Sequence, residues 1–259
     1  MLGAISGDVI GSVHEFLGEK TLEFPLFVEG SRFTDDTVLS IAVADCLLTG
    51  SSYVDKFRAY ALNYPDRCYG LGFWRWVESG SRQPYNSWGN GAAMRVSPIA
   101  YAFDTLEEVL KEAKASAEVT HNHPEGVRGA QAAAAATFLA RQGEAKDKIR
   151  RAIEERFGYD LSRTTGVIRQ TYSFNESCQE TVPEAITTFL DSADYEEAVR
   201  LAISLGGDAD TLACITGGIA GAFYGSVPHS IAIRTLALLD DELRNTVTRF
   251  CNTHAVEMP

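Results

Sequence analysis

Apolar residues in this chain recur at helical spacing along most of its length and almost nowhere alternate with period two. From Asp36 to Leu48, the positions Val38, Leu39, Ile41, Ala42, Val43, Leu47 and Leu48 fit a helix buried on most sides, with Thr34 ahead of it as a cap. The same periodicity predicts helices over about Ser52 to Leu62, Gly72 to Glu78, Ala92 to Ala102, Leu106 to Ala117, Gly126 to Arg141 and Ala145 to Phe157. It predicts more over about Val182 to Asp191, Tyr195 to Leu205, Thr211 to Tyr224 and Ser230 to Cys251. Only short β-branched pieces such as Thr164, Val167 and Ile168 hint at a strand. The connections are short, none resembles a Pro/Ser-rich or charged linker, and no unit repeats at a solenoid period of roughly 20 to 50 residues. The expectation is an all-α fold in which residues 1–259 form a single compact multi-helix domain.

Charge narrows the partners. A formal charge of -12 makes non-specific binding to nucleic acid or to an anionic membrane surface unfavourable, since both are polyanions. No apolar stretch reaches about 18 residues, and Asp8 stands where a signal peptide needs basic residues, so a cytoplasmic protein is expected. Five cysteines, Cys46, Cys68, Cys178, Cys214 and Cys251, show no CxxC spacing, which predicts reduced, mostly buried thiols and no zinc site of the finger type. No long amphipathic seam is left over, so a monomer, or at most a weak dimer, is expected. The glycine runs Gly3 to Gly7 and Gly217 to Gly221 predict close helix approach and do not match a GxGxxG phosphate loop.

Two short segments carry the chemistry. Thr34, Asp35 and Asp36 are consecutive, and within a helix their side chains would diverge by about 100° each, so they converge only at a turn or helix start. Asp208, Ala209, Asp210 and Thr211 behave alike, with Gly206 and Gly207 freeing the backbone before them and an apolar run from Leu212 to anchor them. A helix cap explains either segment alone. A cap needs one acceptor, however, and each junction offers two acids and a hydroxyl. If the junctions meet, like charges at about 4 Å repel by roughly 4 kcal/mol at an effective dielectric of 20, which divalent cations would relieve. Asp and Thr oxygens without His or Cys point to hard ions, Mg²⁺ or Mn²⁺. Glu15 follows a Gly/apolar helix, with Asp8 expected two turns back on nearly the same face; counted with Asp35, Asp36, Asp208 and Asp210, it makes five carboxylates against two divalent ions.

These residues resemble the ADP-ribosylglycohydrolase family, which includes the dinitrogenase-reductase-activating glycohydrolases and the ADP-ribosyl-acceptor hydrolases. The resemblance rests on Gly7-Asp8 through Gly11 to Glu15-Phe16, on Thr34 to Thr37, and on Gly206 to Thr211, and it runs nearly end to end. It implies an all-α fold with a dinuclear metal cleft that binds two Mg²⁺ or Mn²⁺ ions through Thr34, Asp35, Asp36, Asp208, Asp210 and Thr211. Glu15 would be the nearby acid, sharing proton handling with Asp35 or Asp210. The implied reaction is removal of ADP-ribose from an ADP-ribosylated protein or small ADP-ribosyl conjugate by hydrolysis of the ribosyl C1″ N- or O-glycosidic bond.

The middle of the chain adds two motifs similar to the family's substrate loops, Gly89 to Arg95 and Thr120 to Pro124. Asn90 and Gly91, at the start of a helix, could cradle a diphosphate with backbone N–H groups, with Arg95 adding a charge-assisted contact. His121 and His123 precede a proline and occupy an extended loop, and one of them is expected to contact the distal sugar or phosphate. Trp74, Trp76, Trp88 and Tyr224 are candidates for stacking on adenine, against core packing as the plainer reading. Two other functions would use the same residues: an all-α dimetal phosphohydrolase acting on a nucleotide diphosphate, or a non-catalytic ADP-ribose-binding or structural protein.

Overall fold

A computed structural model describes residues 1–258. Among these, the chain forms fourteen α-helices and one 3₁₀ turn, and its sole β-type pairing is an isolated bridge between Gly89 and Ser177. The helices that matter for the site are α1 (Leu2–Gly11), α2 (Asp35–Thr49), α7 (Pro124–Arg141), α10 (Cys178–Asp191), α11 (Tyr195–Ile203) and α12 (Ala209–Phe223). α3 (Tyr53–Asn63) packs on α2, α6 (Leu106–Glu118) on α7, and α14 (Asp241–Thr253) on α2. No helix is long and apolar enough to cross a membrane among the described residues.

α1 and α12 form the centre. Every residue of α1 is buried, and α12 is buried from Ala209 to Ala220, as expected for helices apolar on all sides. Such helices can lie in close contact only where side chains are missing at the crossing. Gly3, Gly7 and Gly11 supply that gap on α1: a Cβ on Gly7 would collide with the Ala213 carbonyl, and one on Gly11 would lie 2.6 Å from Ala209 O. α12 contributes Ala213, Gly217 and Gly221 at the same seam. Its register places the C-terminal end of α1, with Asp8, beside the N-terminal end of α12, with Asp208 and Asp210. α7, α10 and α11 pack around α12.

Several boundaries depart from the periodicity. The run Ala92 to Ala102 is not one helix: a 3₁₀ turn at Asn90–Ala92 is followed by turns, then by a short helix Ile99–Ala102 after Pro98. The pyrrolidine ring disfavours helical backbone in the preceding residue, which accounts for the break. The run Ser230 to Cys251 is likewise two helices, His229–Leu238 and Asp241–Thr253, because Asp240 is extended and its carboxylate caps the second through the Leu243 N–H at 2.9 Å. α10 begins at Cys178, four residues before the expected start, and carries Pro183 inside it. The β-branched piece near Thr164 is a short helix, Thr165–Arg169. Finally, α1 ends at Gly11, so Glu15 lies in the turns beyond it and does not share a helix face with Asp8.

Candidate active site

The two acidic junctions meet. Thr34 is the N-cap of α2, its Oγ1 accepting from the Asp36 N–H at 3.3 Å, and the N-terminal end of α12 lies opposite. The Thr211 hydroxyl donates to Asp36 Oδ2 at 3.2 Å, a direct bond between the junctions. Two groups of carboxylates result, each with oxygens within 4.8 Å of one another: Asp8, Asp36 and Asp210, and Glu15, Asp208 and Asp210. Asp210 belongs to both. Asp35 belongs to neither, although it lines the same cavity.

Asp8 is the residue whose importance sequence reasoning understated. Its Oδ1 accepts from the Thr34 hydroxyl at 2.7 Å, and its Oδ2 accepts from the Thr34 N–H at 3.0 Å, the Thr37 N–H at 3.2 Å and the Thr37 hydroxyl. One carboxylate from α1 thus satisfies two of the unpaired N–H groups that begin α2. The Thr34 hydroxyl hydrogen has its shorter acceptor in Asp8 and a longer one, Asp36 Oδ2, at 3.3 Å; once it goes to Asp8, one lone pair of Oγ1 is left over.

Electrostatics show the cost of crowding. Burial raises the Asp8 and Asp208 carboxyls, partly offset by the hydrogen bonds each accepts. Asp35, Asp36 and Asp210 are driven well above the usual carboxylate range, by burial first and by neighbouring acids second. Glu15 is pushed up to about 7, chiefly by burial and then by Asp208. Asp36 Oδ1 is sealed inside with no hydrogen-bond partner. An acceptor left idle amid carboxylates that repel one another is the arrangement a hard cation would complete.

Glu15, Asp35, Asp36, Asp208 and Asp210, with Thr211, form one wall of a cavity of about 310 Å³ that also meets Asn90, Gly91, Arg95, His121, Tyr85 and Phe174; Asp8 and Thr34 do not line it. The Gly-rich segment does not open a helix. Asn90 begins a single 3₁₀ turn and its own N–H is taken by the Glu176 carbonyl at 2.7 Å, which removes that one donor from any anion there. The Asn90 side chain instead donates to Asp208 Oδ2 at 2.7 Å and to the Thr181 hydroxyl at 3.2 Å, tying the segment to the acids. Arg95 is fully buried, stacked over Phe57 and donating to the Ser116 carbonyl and the Thr120 hydroxyl. His121 lines the cavity and His123 does not: it caps α7, accepting from the Glu125 N–H at 3.2 Å, beside a surface depression shared with Trp88. Trp76 is in the core, and Tyr224 bonds Ser192 and Lys146, both away from the cavity.

With this geometry in place, likeness to known proteins becomes decisive. A family model described as ADP-ribosylglycohydrolase matches residues 1–256. The chain belongs to the ADP-ribosylglycohydrolase family. It is 30% identical to human ADP-ribosylhydrolase ARH3, with 89% of this chain and 86% of the human protein covered. That alignment runs over 312 positions, more than this chain possesses, so the human protein carries insertions relative to it. ADP-ribosylarginine hydrolase Tri1 of Pseudomonas putida (strain GB-1) is 26% identical, with 87% of this chain and 69% of that protein covered. A solved structure described as an ADP-ribosylglycohydrolase-related protein complex superposes with a TM-score of 0.69 at 25% identity, covering 98% of this chain and 97% of the other. The all-α architecture is therefore that of the ADP-ribosylglycohydrolases, and the chain is an enzyme of that type.

Proposed function

We propose that this ADP-ribosylglycohydrolase hydrolyses the bond between C1″ of ADP-ribose and a nitrogen or oxygen of its acceptor, a protein side chain foremost, with two Mg²⁺ or Mn²⁺ ions as cofactors. The observation that carries this reading is the position of Asp210, whose carboxylate belongs at once to the group with Asp8 and Asp36 and to the group with Glu15 and Asp208. A carboxylate shared by two adjacent oxygen clusters suits a bridge between two cations. Thr34, Asp36, Asp208, Asp210 and Thr211 would hold the ions, with Asp35 at the edge of the cluster.

Bound ions supply fixed positive charge that offsets the crowded acids and orients ribose hydroxyls. The protein's own groups do the rest. Glu15 stands half-buried at the outer end of the second group, in a loop and not on a helix, where it reaches both the acids and the cavity. From there it is placed to take a proton from the attacking water or return one to the departing acceptor atom. Cleavage of a ribosyl bond passes through an oxocarbenium-like state, which a site of residual negative charge favours. The names of ADP-ribosylhydrolase ARH3 and ADP-ribosylarginine hydrolase Tri1 support an ADP-ribosyl substrate and put arginine among the candidate acceptors.

Arginine-linked and serine-linked ADP-ribosyl peptides, incubated with the protein before and after EDTA treatment, test the reading. Free, intact ADP-ribose is expected from at least one peptide, lost with EDTA and regained with Mg²⁺ or Mn²⁺. Release of AMP alone, with ribose 5-phosphate left on the peptide, would move cleavage to the diphosphate and overturn the glycosidic assignment.

A further inference from the structure

Arg95 is a fully buried guanidinium whose hydrogen bonds run to a carbonyl and a hydroxyl and to no carboxylate. Its Nη2 donates to Ser116 O at 2.9 Å and to Thr120 Oγ1 at 3.0 Å, its Cζ stands 4.3 Å from the centre of the Phe57 ring, and Nε and Nη1 are sealed without partners. Burying a cation with two idle donors costs stability, and an apolar side chain of similar volume would be better suited to packing alone. A role beyond packing is indicated.

Thr120 passes the contact onward. Its Oγ1 accepts from Arg95, and its own hydrogen has one acceptor within reach among the described residues, His121 Nδ1 at 2.7 Å. Nδ1 must then present its lone pair. Burial and the nearby Arg95 charge both hold the His121 imidazole well below its usual range, so the ring keeps one proton, on Nε2. Nε2 itself has no hydrogen-bond partner among the described residues and faces the Gly-rich segment: a Cβ on Gly91 would lie 3.3 Å from it, and one on Gly89 3.6 Å. His121 is buried, yet it lines the cavity.

We infer that Arg95, acting through the Thr120 hydroxyl, locks His121 as the neutral Nε2–H tautomer, so that the ring offers the cavity one fixed donor for a diphosphate oxygen of the substrate. A sugar hydroxyl can donate or accept and would not need the tautomer set; a phosphoryl oxygen only accepts. Arg95 and Thr120 are positioning residues in this scheme, and the ligand rests on the assignment of the cavity to an ADP-ribosyl group.

Long-range proton–nitrogen spectra of the ¹⁵N-labelled, metal-loaded full chain read the tautomer directly, with His121 picked out from the five histidines by a His121→Gln variant. The expected result is a bare Nδ1 and a protonated Nε2 between pH 6 and pH 8, with the Nε2–H signal shifting when ADP-ribose is added. Thr120→Val keeps the side-chain volume without the hydroxyl. It should give a mixture of tautomers and weaken ADP-ribose binding about tenfold, the low end of the range for outer-shell partners, and Thr120→Ser should restore both. A proton on Nδ1 in the unaltered protein overturns the relay whether or not the variants fold, and so does a Thr120→Val ring with an unchanged tautomer. The expected tautomer together with no ADP-ribose binding by the unaltered protein would uphold the relay and overturn the ligand assignment instead.

Discussion

The two helix starts that supply the acids solve the same local problem in opposite ways. At α2, Thr34 caps the helix through the Asp36 N–H, and Asp8 reaches across from α1 to satisfy the N–H groups of Thr34 and Thr37. At α12, the N-cap Asp208 makes no capping bond with its side chain; its carboxylate is held by Asn90 and turned toward the cavity. The first junction is a cap whose hydroxyl serves a second purpose, and the second is a cap position given up for the site. A helix start that leaves its capping carboxylate unused is the better indication of chemistry, because local stability alone would have used it.

The largest break in this pairing should come where the junctions share a group. Asp210→Asn keeps the shape of the residue and removes the charge common to both carboxylate groups. Turnover on ADP-ribosyl peptides should fall by more than about a hundredfold, beyond the 10- to 100-fold range typical of outer-shell partners, with little change in the thermal midpoint of the metal-free protein at about pH 5.5, where the raised Asp210 carboxyl is itself protonated. Separating the junctions mechanically should come next. Gly7→Ala puts a methyl group into the Ala213 carbonyl, and backbone cannot yield as a flexible side chain does. Overpacking of this kind costs about 1–3 kcal/mol or more, read from the denaturation midpoint, and the same variant should lose metal affinity because α1 carries Asp8.

Asp8→Asn tests the first junction alone. Oδ2 accepts three hydrogen bonds and Oδ1 one, so the amide is best placed with its oxygen toward Thr37 and its NH₂ toward the Thr34 hydroxyl. Thr34 then accepts from residue 8, and its own hydrogen turns to Asp36 Oδ2, 3.3 Å away, occupying lone pairs on both residues that a cation would use. A loss of about 10- to 100-fold in Mn²⁺ affinity, measured by calorimetry, is expected with the helices intact by circular dichroism. An unchanged affinity would show that Thr34 is a cap and nothing more.

Much of this was legible in the sequence, for identifiable reasons. The all-α class and most helix spans follow from apolar periodicity, and two residue triplets were enough to mark the junctions because an isolated cap needs only one acceptor. As a site residue, Asp8 figured in the sequence only as a companion to Glu15, two turns before it. What could not be read was that it would satisfy another helix's N–H groups, since that depends on the α1–α12 register set by the glycine seam. Pro98 and the Asp240-Asp241-Glu242 run were signals that two long apolar stretches should be divided, and periodicity alone overrode them. His121 and His123 are two residues apart and look equivalent in a motif. Which one faces the cavity was decided by the start of α7, where Pro124 takes the first helical position and leaves His123 as the cap.

The smallest effect separates the junctions by proton binding. In the metal-free protein, Asp36 and Asp210 are held well above the usual carboxylate range, whereas hydrogen bonds oppose the rise at Asp8. A carboxyl raised on folding contributes stability that is fully present below its unfolded value, near 4, and is lost as pH rises through the folded one. The Met1 amine, lowered to about 5 by burial, and His14, His121 and His254, all lowered, act with the opposite sign as pH falls below their unfolded values near 8 and 6.5, but seven carboxyls, those of Asp8, Glu15, Asp35, Asp36, Glu184, Asp208 and Asp210, are raised against these four bases. The thermal midpoint of the metal-free protein should therefore be a few degrees higher at pH 5.5 than at pH 7.5, at roughly 2–4 °C per kcal/mol for a protein of this size. Saturating Mg²⁺ should flatten that slope, because the cations then do what protons did. Asp210→Asn should flatten it even without metal, whereas Asp8→Asn should leave most of it in place; a slope that Asp8→Asn abolished and Asp210→Asn spared would place the unsatisfied charge at the α2 junction and reverse the contrast between the two helix starts.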